Sequence, residues 1–415
     1  MRSINIVAPV RAIVPMAAAL AIGAFAVSLV PPEHLAPRWL TVALAALAMV
    51  WVVVRPFGDR RDDVVPAVAI LLTSIGLIAI ARVSPQLASR QMIWLAIALA
   101  LAIGIGPALR RYRLLARYKY VWILASILLF ILVALFGQEV NGAKLWIRIG
   151  PMQFEPIEAI KLFVVLFMAA YLAETADVIA AARPWSLRAN AKYLGPLFIG
   201  WGTSIAILVF ERDLGTAALL LAIFCAMLYV ATRRLDLVVG SVSVFALAAW
   251  WAAHHYSYVA LRIAAWRNPF SDPYGSGYQT LQSLFGLGAG GLFGTGYGLG
   301  RPDYIPAVAT DYIYAAFSEE FGALGGIAVC ALFLVLVLRA LGIALERPDL
   351  YGRLVATGLA TTLGFQVFII VGGVLHLFPL TGITLPFFSY GGSSLVANYV
   401  IVAFLWALSG HTRAA

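Results

Sequence analysis

One long polar stretch stands out from an otherwise very apolar chain, and it carries a single carboxylate. Residues 268–283 read NPFSDPYGSGYQTLQS, in which Asp272 is the one acidic residue. A carboxylate outside the apolar segments can take a proton from a hydroxyl group without being buried in hydrocarbon. On local grounds, however, Asp followed by Pro is typical of a helix start, with Asp272 as N-cap and Pro273 in the first turn. Both interpretations stay open at this point.

A second candidate pair lies at the start of an apolar segment nearer the N-terminus. Glu158 and Lys161 are three residues apart, which places them on the same face of a helix. Ionisable residues inside membrane-spanning helices are costly and usually face a cavity or each other. A structural ion pair and part of a substrate site are therefore both open.

Other charged residues fall at the same level, at the ends of apolar segments on the side of Asp272. They are Lys144, Arg148, Arg212, Asp213, Asp311, Glu319 and Glu320. Mixed charges at one depth predict a hydrated, polar funnel, whose Lys and Arg side chains suit an anionic head group. The vestibule of a transporter would be built in the same way.

The amino-acid composition indicates the class of fold that carries these residues. Of 415 residues, 63% are hydrophobic and 12% are charged, and the mean hydropathy is +0.94, whereas a soluble domain carries about 25% charged residues. Apolar runs of roughly 17 to 25 residues, the length that crosses the hydrocarbon core, predict about twelve spans. These lie near 10–30, 36–54, 64–81, 91–109, 118–136, 157–173, 193–210, 214–231, 235–253, 310–338, 353–375 and 390–409. We predict an all-α polytopic integral membrane protein, because only a helix satisfies its own backbone within lipid.

The distribution of Lys and Arg predicts the orientation. With both termini in the cytoplasm, the loops on that side carry about twice as many basic residues as the other side, as the positive-inside rule requires. The net charge of +10 then reflects basic loops facing anionic lipid rather than nucleic-acid binding. The stretches 137–156, 253–309 and 376–389 face outward in this topology. Within the longest, residues 278–288 predict a short amphipathic helix at the interface.

Several other patterns carry no chemistry. Residues 286–291, GLGAGG, formally match a dinucleotide-binding motif, but no strand precedes them. The five His and two Cys residues show no spacing typical of metal ligands. Ser389, Ser393 and Ser394 have no His placed by sequence to activate them as nucleophiles. We expect neither a nucleotide site nor a metal site formed by the protein.

Four segments together resemble the SEDS family of cell-shape, division and sporulation proteins, the group of RodA and FtsW. They are NGAKLWIRIGPMQFEPIEAIKL at 141–162, DLGTA at 213–217, the stretch from NPFSDPYGSGYQTLQS to TDYIYAAFSEEFG at 268–322, and PLTGITLPFFSYGGSS at 379–394. The resemblance implies a ten-helix core over 64–415, with an extracytoplasmic loop at about 254–309. Residues 1–63 would be an N-terminal addition of two helices.

The resemblance implies a peptidoglycan glycosyltransferase that polymerises lipid II into β-1,4-linked glycan strands during bacterial cell-wall synthesis. Asp272 corresponds to the catalytic Asp of the family's DPxGxGY segment and would be the general base on the sugar hydroxyl. Basic groups, with Mg²⁺ or Mn²⁺ as an open cofactor question, would balance the departing diphosphate. The implied substrate and cavity residues are Lys144, Arg148, Glu158, Lys161, Asp213 and Ser393.

The resemblance also implies partners and a location. The partners are lipid II, the polyprenyl-diphosphate-linked glycan, membrane lipids and a class B penicillin-binding protein, without nucleic acid. The protein would be a multi-pass component of the bacterial cytoplasmic membrane, with its active site facing outward. Elongation, division and sporulation roles share these motifs, so the choice among them stays open.

The chain departs from the family pattern at three positions, Glu155, Arg212 and Ala309. The first two alter charge near the predicted funnel. Two other functions remain as alternatives. A flippase for the lipid-linked precursor would place its charges near the midplane, whereas these cluster at the outer level. A non-catalytic scaffold for a transpeptidase would have no need of an intact DPYGSGY.

Overall fold

The structure is a computed structural model that describes residues 62–140, 143–149, 152–182 and 213–410, with isolated positions between 193 and 207. The predicted spans at 10–30 and 36–54 lie outside these residues. Half of the span at 193–210 lies outside them. All structural statements below refer to the described part of the chain.

Within that part, nine helices are long and apolar enough to cross a membrane, and each corresponds to one predicted span. These nine and two shorter helices, α7 and α8, make eleven described α-helices. They are α1 Val64–Val83, α2 Pro85–Leu109, α3 Lys119–Phe136, α4 Ile157–Ala181, α5 Leu214–Thr232, α6 Leu235–His255, α7 Ser257–Arg267, α8 Tyr278–Gly290, α9 Ile313–Glu346, α10 Leu350–Val374 and α11 Gly392–Ser409. The prediction of an all-α polytopic integral membrane protein is confirmed. The predicted interfacial helix at 278–288 is α8, whereas α7 lies where the sequence had indicated only a loop.

The stretch between α3 and α4 is not a simple loop. It forms a small antiparallel sheet in the order β1-β2-β3, which the sequence analysis did not predict. The strands are β1 Gln138–Val140, β2 Ala143–Ile149 and β3 Met152–Phe154. From 144 to 149 polar or aromatic residues alternate with apolar ones, and this period of two is typical of a strand.

The contacts divide the chain into two compact units, each described by itself. Of the described residues, the first unit comprises those within 62–106, 282–339 and 384–410, and the second comprises those within 107–281 and 340–383.

In the first unit, α1 packs against α11. Thr73 Oγ1 and Tyr399 Oη form a hydrogen bond of 3.0 Å between the two helices. Gly76 lies so close to the segment before α11 that a Cβ atom would stand 2.6 Å from Phe388 Cα. Only a residue without a side chain allows this approach, so Gly76 sets the distance between α1 and the segment that leads into α11.

The helix α9 is broken near its start. Gly322 has φ 72° and ψ −177°, so the helical hydrogen bonds cannot continue through it. Thr295 N donates to Glu319 O at 2.9 Å, and Gly296 N donates to Glu320 O at 3.1 Å. The sequence predicted one continuous span here, because nothing in its apolar pattern marks the break.

The backbone N–H groups that follow the break also find hydrogen-bond acceptors outside the helix. Ala323 N donates to Gly291 O at 2.9 Å, and Leu324 N donates to Leu292 O at 3.2 Å. A backbone group freed at a helix break needs a partner when water is excluded. Residues 291–300, hereafter the glycine-rich segment, therefore act as a backbone partner for α9. This gives the glycines there a structural role.

In the second unit, the helices α4, α5 and α10 pack against one another. At their meeting point a Cβ on Gly358 would stand 2.7 Å from both Val165 Cγ1 and Met227 Sδ. Glu158, Lys161 and Asp213 belong to the ends of α4 and α5 in this three-helix core.

Candidate functional site

Asp272 lies in a tight turn between α7 and α8. It follows the 3-10 turn Pro269–Ser271, and the next α-helix begins only at Tyr278. Its carboxylate accepts two hydrogen bonds on Oδ2, from Ser276 N at 2.7 Å and from Ser276 Oγ at 3.1 Å. The interpretation of Asp272 as an α-helix N-cap is therefore wrong, because the side chain closes its own turn instead.

These hydrogen bonds tune an accessible carboxylate. Asp272 is exposed to solvent. The backbone N–H of Ser276, and then its hydroxyl, hold the pKa of Asp272 below its usual value because both stabilise the ionised form. At neutral pH the side chain is a carboxylate that can accept a proton.

Close contacts within this turn explain why the DPYGSGY segment has glycine at two positions. A Cβ on Gly275 would stand 2.3 Å from Asp272 Oδ2, and a Cβ on Gly277 would stand 2.1 Å from Pro269 O. A side chain at either position would displace the carboxylate or the turn that carries it. The spacing D-P-x-G-x-G therefore leaves room for the Asp272 side chain to fold back onto Ser276.

The structure brings Glu158 and Lys161 together on one face of α4, as the spacing predicted. Lys161 Nζ is 2.8 Å from Glu158 Oε2, and the two side chains are 4% and 7% exposed. Lys161 Nζ also donates to Gln366 Oε1 on α10 at 3.3 Å. Sequence reasoning missed Gln366, although a lone amide within an apolar span was a usable signal.

Asp213 caps α5. Its Oδ1 accepts from Thr216 N at 3.1 Å, and its Oδ2 accepts from the Thr216 hydroxyl. The side chain is 3% exposed. This arrangement accounts for the Asp and Thr of the DLGTA segment as a helix cap, and a substrate contact by Asp213 stays a prediction.

The remaining predicted residues are placed as follows. Arg148 lies on β2 with an exposed side chain. Lys144 is on the same strand. Its side chain and residue Arg212 lie outside the described part of the chain. Ser393 is buried in α11 of the first unit. Glu155 is buried just before α4.

Glu319 and Glu320 are engaged within the first unit. Arg82 Nε is 2.9 Å from Glu320 Oε1, and Arg82 Nη2 donates to Gly298 O and Gly300 O at 3.1 and 3.2 Å. Glu319 Oε1 accepts from the backbone N–H of Arg301 at 2.9 Å. Glu320 thus holds the glycine-rich segment through Arg82, and Glu319 holds the residue that directly follows it. The role of Arg82 was not visible in the sequence.

The described residues contain no group of three or more His, Cys, Asp or Glu side chains that could hold a metal ion. The donor set described thus does not fit a divalent cation bound by protein alone.

The fold and the site together define a polytopic helical membrane protein with an ionised carboxylate on a loop and a buried acid–base pair within its helices. The family model FTSW_RODA_SPOVE, described as cell cycle protein, matches residues 62–414. The chain therefore belongs to the FtsW, RodA and SpoVE family, which confirms the resemblance drawn from four segments.

Relatives and a solved structure agree with this membership. The chain is 38% identical over 377 residues to the peptidoglycan glycosyltransferase RodA of Mycobacterium tuberculosis, covering 87% of this chain and 80% of the relative. It is 31% identical over 373 residues to a probable peptidoglycan glycosyltransferase FtsW of a Geobacter species, covering 86% and 99%. It superposes with a TM-score of 0.68 and 28% identity on a chain of a peptidoglycan synthase complex that coordinates polymerisation and crosslinking, covering 86% and 99%.

Proposed function

We propose that this protein polymerises lipid II into β-1,4-linked glycan strands, with Asp272 as the general base. The observation that carries the proposal is the exposed Asp272 carboxylate, which Ser276 holds in ionised form. The enzyme class rests on membership of a family whose relatives are named peptidoglycan glycosyltransferases. This chain is a glycosyltransferase of that class.

The chemistry needs a base at one end of the reacting centre and positive charge at the other. Asp272 takes the proton from the 4-hydroxyl of the incoming sugar as the new bond to the donor sugar forms. The bond between the donor sugar and its diphosphate breaks, and the electron pair leaves with the polyprenyl diphosphate. A base with a lowered pKa is weaker, but it remains ionised throughout the neutral range.

The positive charge that stabilises the leaving diphosphate comes from strand β2 in this proposal. Arg148 is exposed on β2, and Lys144 precedes it on the same strand. Lys161 is already paired with Glu158 at 2.8 Å, so much of its charge is compensated. We assign the diphosphate to Arg148 and Lys144 and give Lys161 the role of a buried polar support. A divalent cation, Mg²⁺ or Mn²⁺, would add charge as part of the diphosphate complex.

The orientation and the partner belong to the same proposal. The distribution of basic residues supports cytoplasmic termini and an active site on the outer face of the bacterial cytoplasmic membrane. The similarity to a chain from a complex that joins polymerisation to crosslinking supports a class B penicillin-binding protein as partner.

The test is a gel assay of lipid II polymerisation with the purified protein and its transpeptidase partner. We expect Asp272→Asn to abolish glycan synthesis, because an amide cannot accept the proton. The matched control is Asp303→Asn, since Asp303 is also an exposed acidic residue of the same long loop, paired loosely with Arg301 at 3.9 Å. The control should keep wild-type activity.

Long glycan strands from the Asp272→Asn variant would show that the base is misassigned. Absence of polymer from the wild-type complex, with transport of lipid II across proteoliposomes, would favour a flippase instead. Absence of both activities would favour a non-catalytic scaffold for a transpeptidase. Parallel reactions with EDTA report whether a divalent cation takes part.

A further inference from the structure

Ser276 makes two hydrogen bonds to one oxygen of Asp272. Its backbone N–H and its hydroxyl both reach Oδ2, at 2.7 and 3.1 Å. The main chain of Asp272 is held as well, because its carbonyl oxygen accepts from Gly277 N at 3.0 Å and from Gly275 N at 3.4 Å. One short turn therefore fixes both the backbone and the side chain of this residue.

The need for such an arrangement follows from the exposure of Asp272. An exposed carboxylate in water samples several rotamers, and proton transfer requires the acceptor oxygen to keep a defined position relative to the hydroxyl group. Gly275 contributes space for the folded-back side chain and a backbone N–H that also stabilises the ionised carboxylate, but it has no side chain that could hold the carboxylate. The hydroxyl of Ser276 is the side-chain group that holds them.

We propose that Ser276 is a positioning residue, which fixes the Asp272 carboxylate through Oδ2 so that Oδ1 receives the proton of the acceptor hydroxyl. This inference rests on the proposed function, in which Asp272 is the base. Oδ2 already accepts two hydrogen bonds, so its lone pairs are occupied, and Oδ1 is the oxygen left to meet the substrate.

The proton of the acceptor 4-hydroxyl moves to Oδ1, and the hydroxyl oxygen forms the bond to the anomeric carbon of the donor. The bond from that carbon to the diphosphate breaks, with its electron pair leaving on the diphosphate. Asp272 then releases its proton to solvent. Ser276 keeps its own protons throughout.

A purely structural role for Ser276 predicts a different outcome from a positioning role. Removing the hydroxyl leaves the backbone N–H in place, so the turn keeps one of its two bonds to Oδ2. A positioning role predicts that the pKa of Asp272 rises in Ser276→Ala, because one donor to the charged form is lost. A structural role predicts an equal loss of activity at every pH.

The experiment measures lipid II polymerisation by the full chain in its transpeptidase complex from acidic to neutral pH. We expect Ser276→Ala to move the acid limb of the rate profile to higher pH and to lower the plateau rate, whereas Ser276→Thr keeps the limb near wild type. The matched control is Ser271→Ala, since the Ser271 hydroxyl bonds to Asn268 O at 2.7 Å in the same turn and does not contact Asp272.

Three results would overturn the inference. The first is an acid limb in Ser276→Ala that coincides with that of the wild type. The second is an equal displacement of the limb in Ser271→Ala, which would assign the effect to the stability of the turn. The third is activity in Asp272→Asn, which would show that Asp272 is not the base and would overturn the proposed function together with this inference. The first two results, obtained with an inactive Asp272→Asn variant, would overturn this inference alone.

Discussion

The substitution Gly275→Ala tests the geometry of the Asp272 turn directly. The new Cβ would lie 2.3 Å from Asp272 Oδ2 and 2.7 Å from Oδ1, whereas ordinary contact begins at 3.4 Å. The carboxylate must therefore move by about 1 Å, and a displacement of that size can cost roughly 10²-fold in rate. The backbone at Gly275 is outside the left-handed region that favours glycine, so Ala adds no strain of that kind.

The clash falls on the end of a flexible side chain, so stability should change little while activity falls. The assay compares initial rates of lipid II polymerisation with the thermal unfolding of the purified complex. The control is Gly288→Ala in α8, where a Cβ would meet nothing within 4 Å. A Gly275→Ala enzyme that polymerises at the wild-type rate would refute the argument that the position of the carboxylate limits the reaction.

Two further predictions concern Arg82 and the pH dependence of Asp272. Arg82→Ala leaves Glu320, 4% exposed, without its ion-pair partner. We expect the free energy of unfolding in detergent to fall by about 3 kcal/mol. This is the low end for a broken buried pair, because Arg82 is 25% exposed. The double variant Arg82→Ala/Glu320→Gln should recover most of the lost stability, because it removes the buried charge. If the double variant is no more stable than the single one, the loss does not come from the buried charge. Because the hydrogen bonds from Ser276 hold the pKa of Asp272 below the usual value of an aspartate, its base form persists to lower pH than that of a free aspartate. Wild-type polymerisation should therefore keep its activity to lower pH than a base with the usual aspartate pKa would allow, and an acid limb centred above the usual carboxyl range would contradict the assignment.

Local patterns predicted much of this molecule. Apolar runs predicted all nine spanning helices of the described part, and a spacing of three residues predicted the Glu158–Lys161 pair. Each of these depends on residues close in sequence, where the helical period determines which side chains share a face.

The partners across the fold could not be predicted in the same way. Gln366 meets Lys161 across 205 residues of sequence, and Arg82 meets Glu320 across 238. Neither pairing leaves a local signal, because it depends on which helices become neighbours. The turn of Asp272 was missed for another reason, since Asp-Pro is compatible with a helix start as well as with the closed turn that the structure contains.

The break in α9 has a consequence for the order of assembly. The carbonyls of Glu319 and Glu320 find their partners in the glycine-rich segment, at 2.9 and 3.1 Å, rather than within the helix. That segment precedes α9 in the chain, so it leaves the ribosome before α9 does. The segment is thus present as a template when the helix enters the bilayer, and α9 can acquire its bend during insertion with few unpaired backbone groups in lipid.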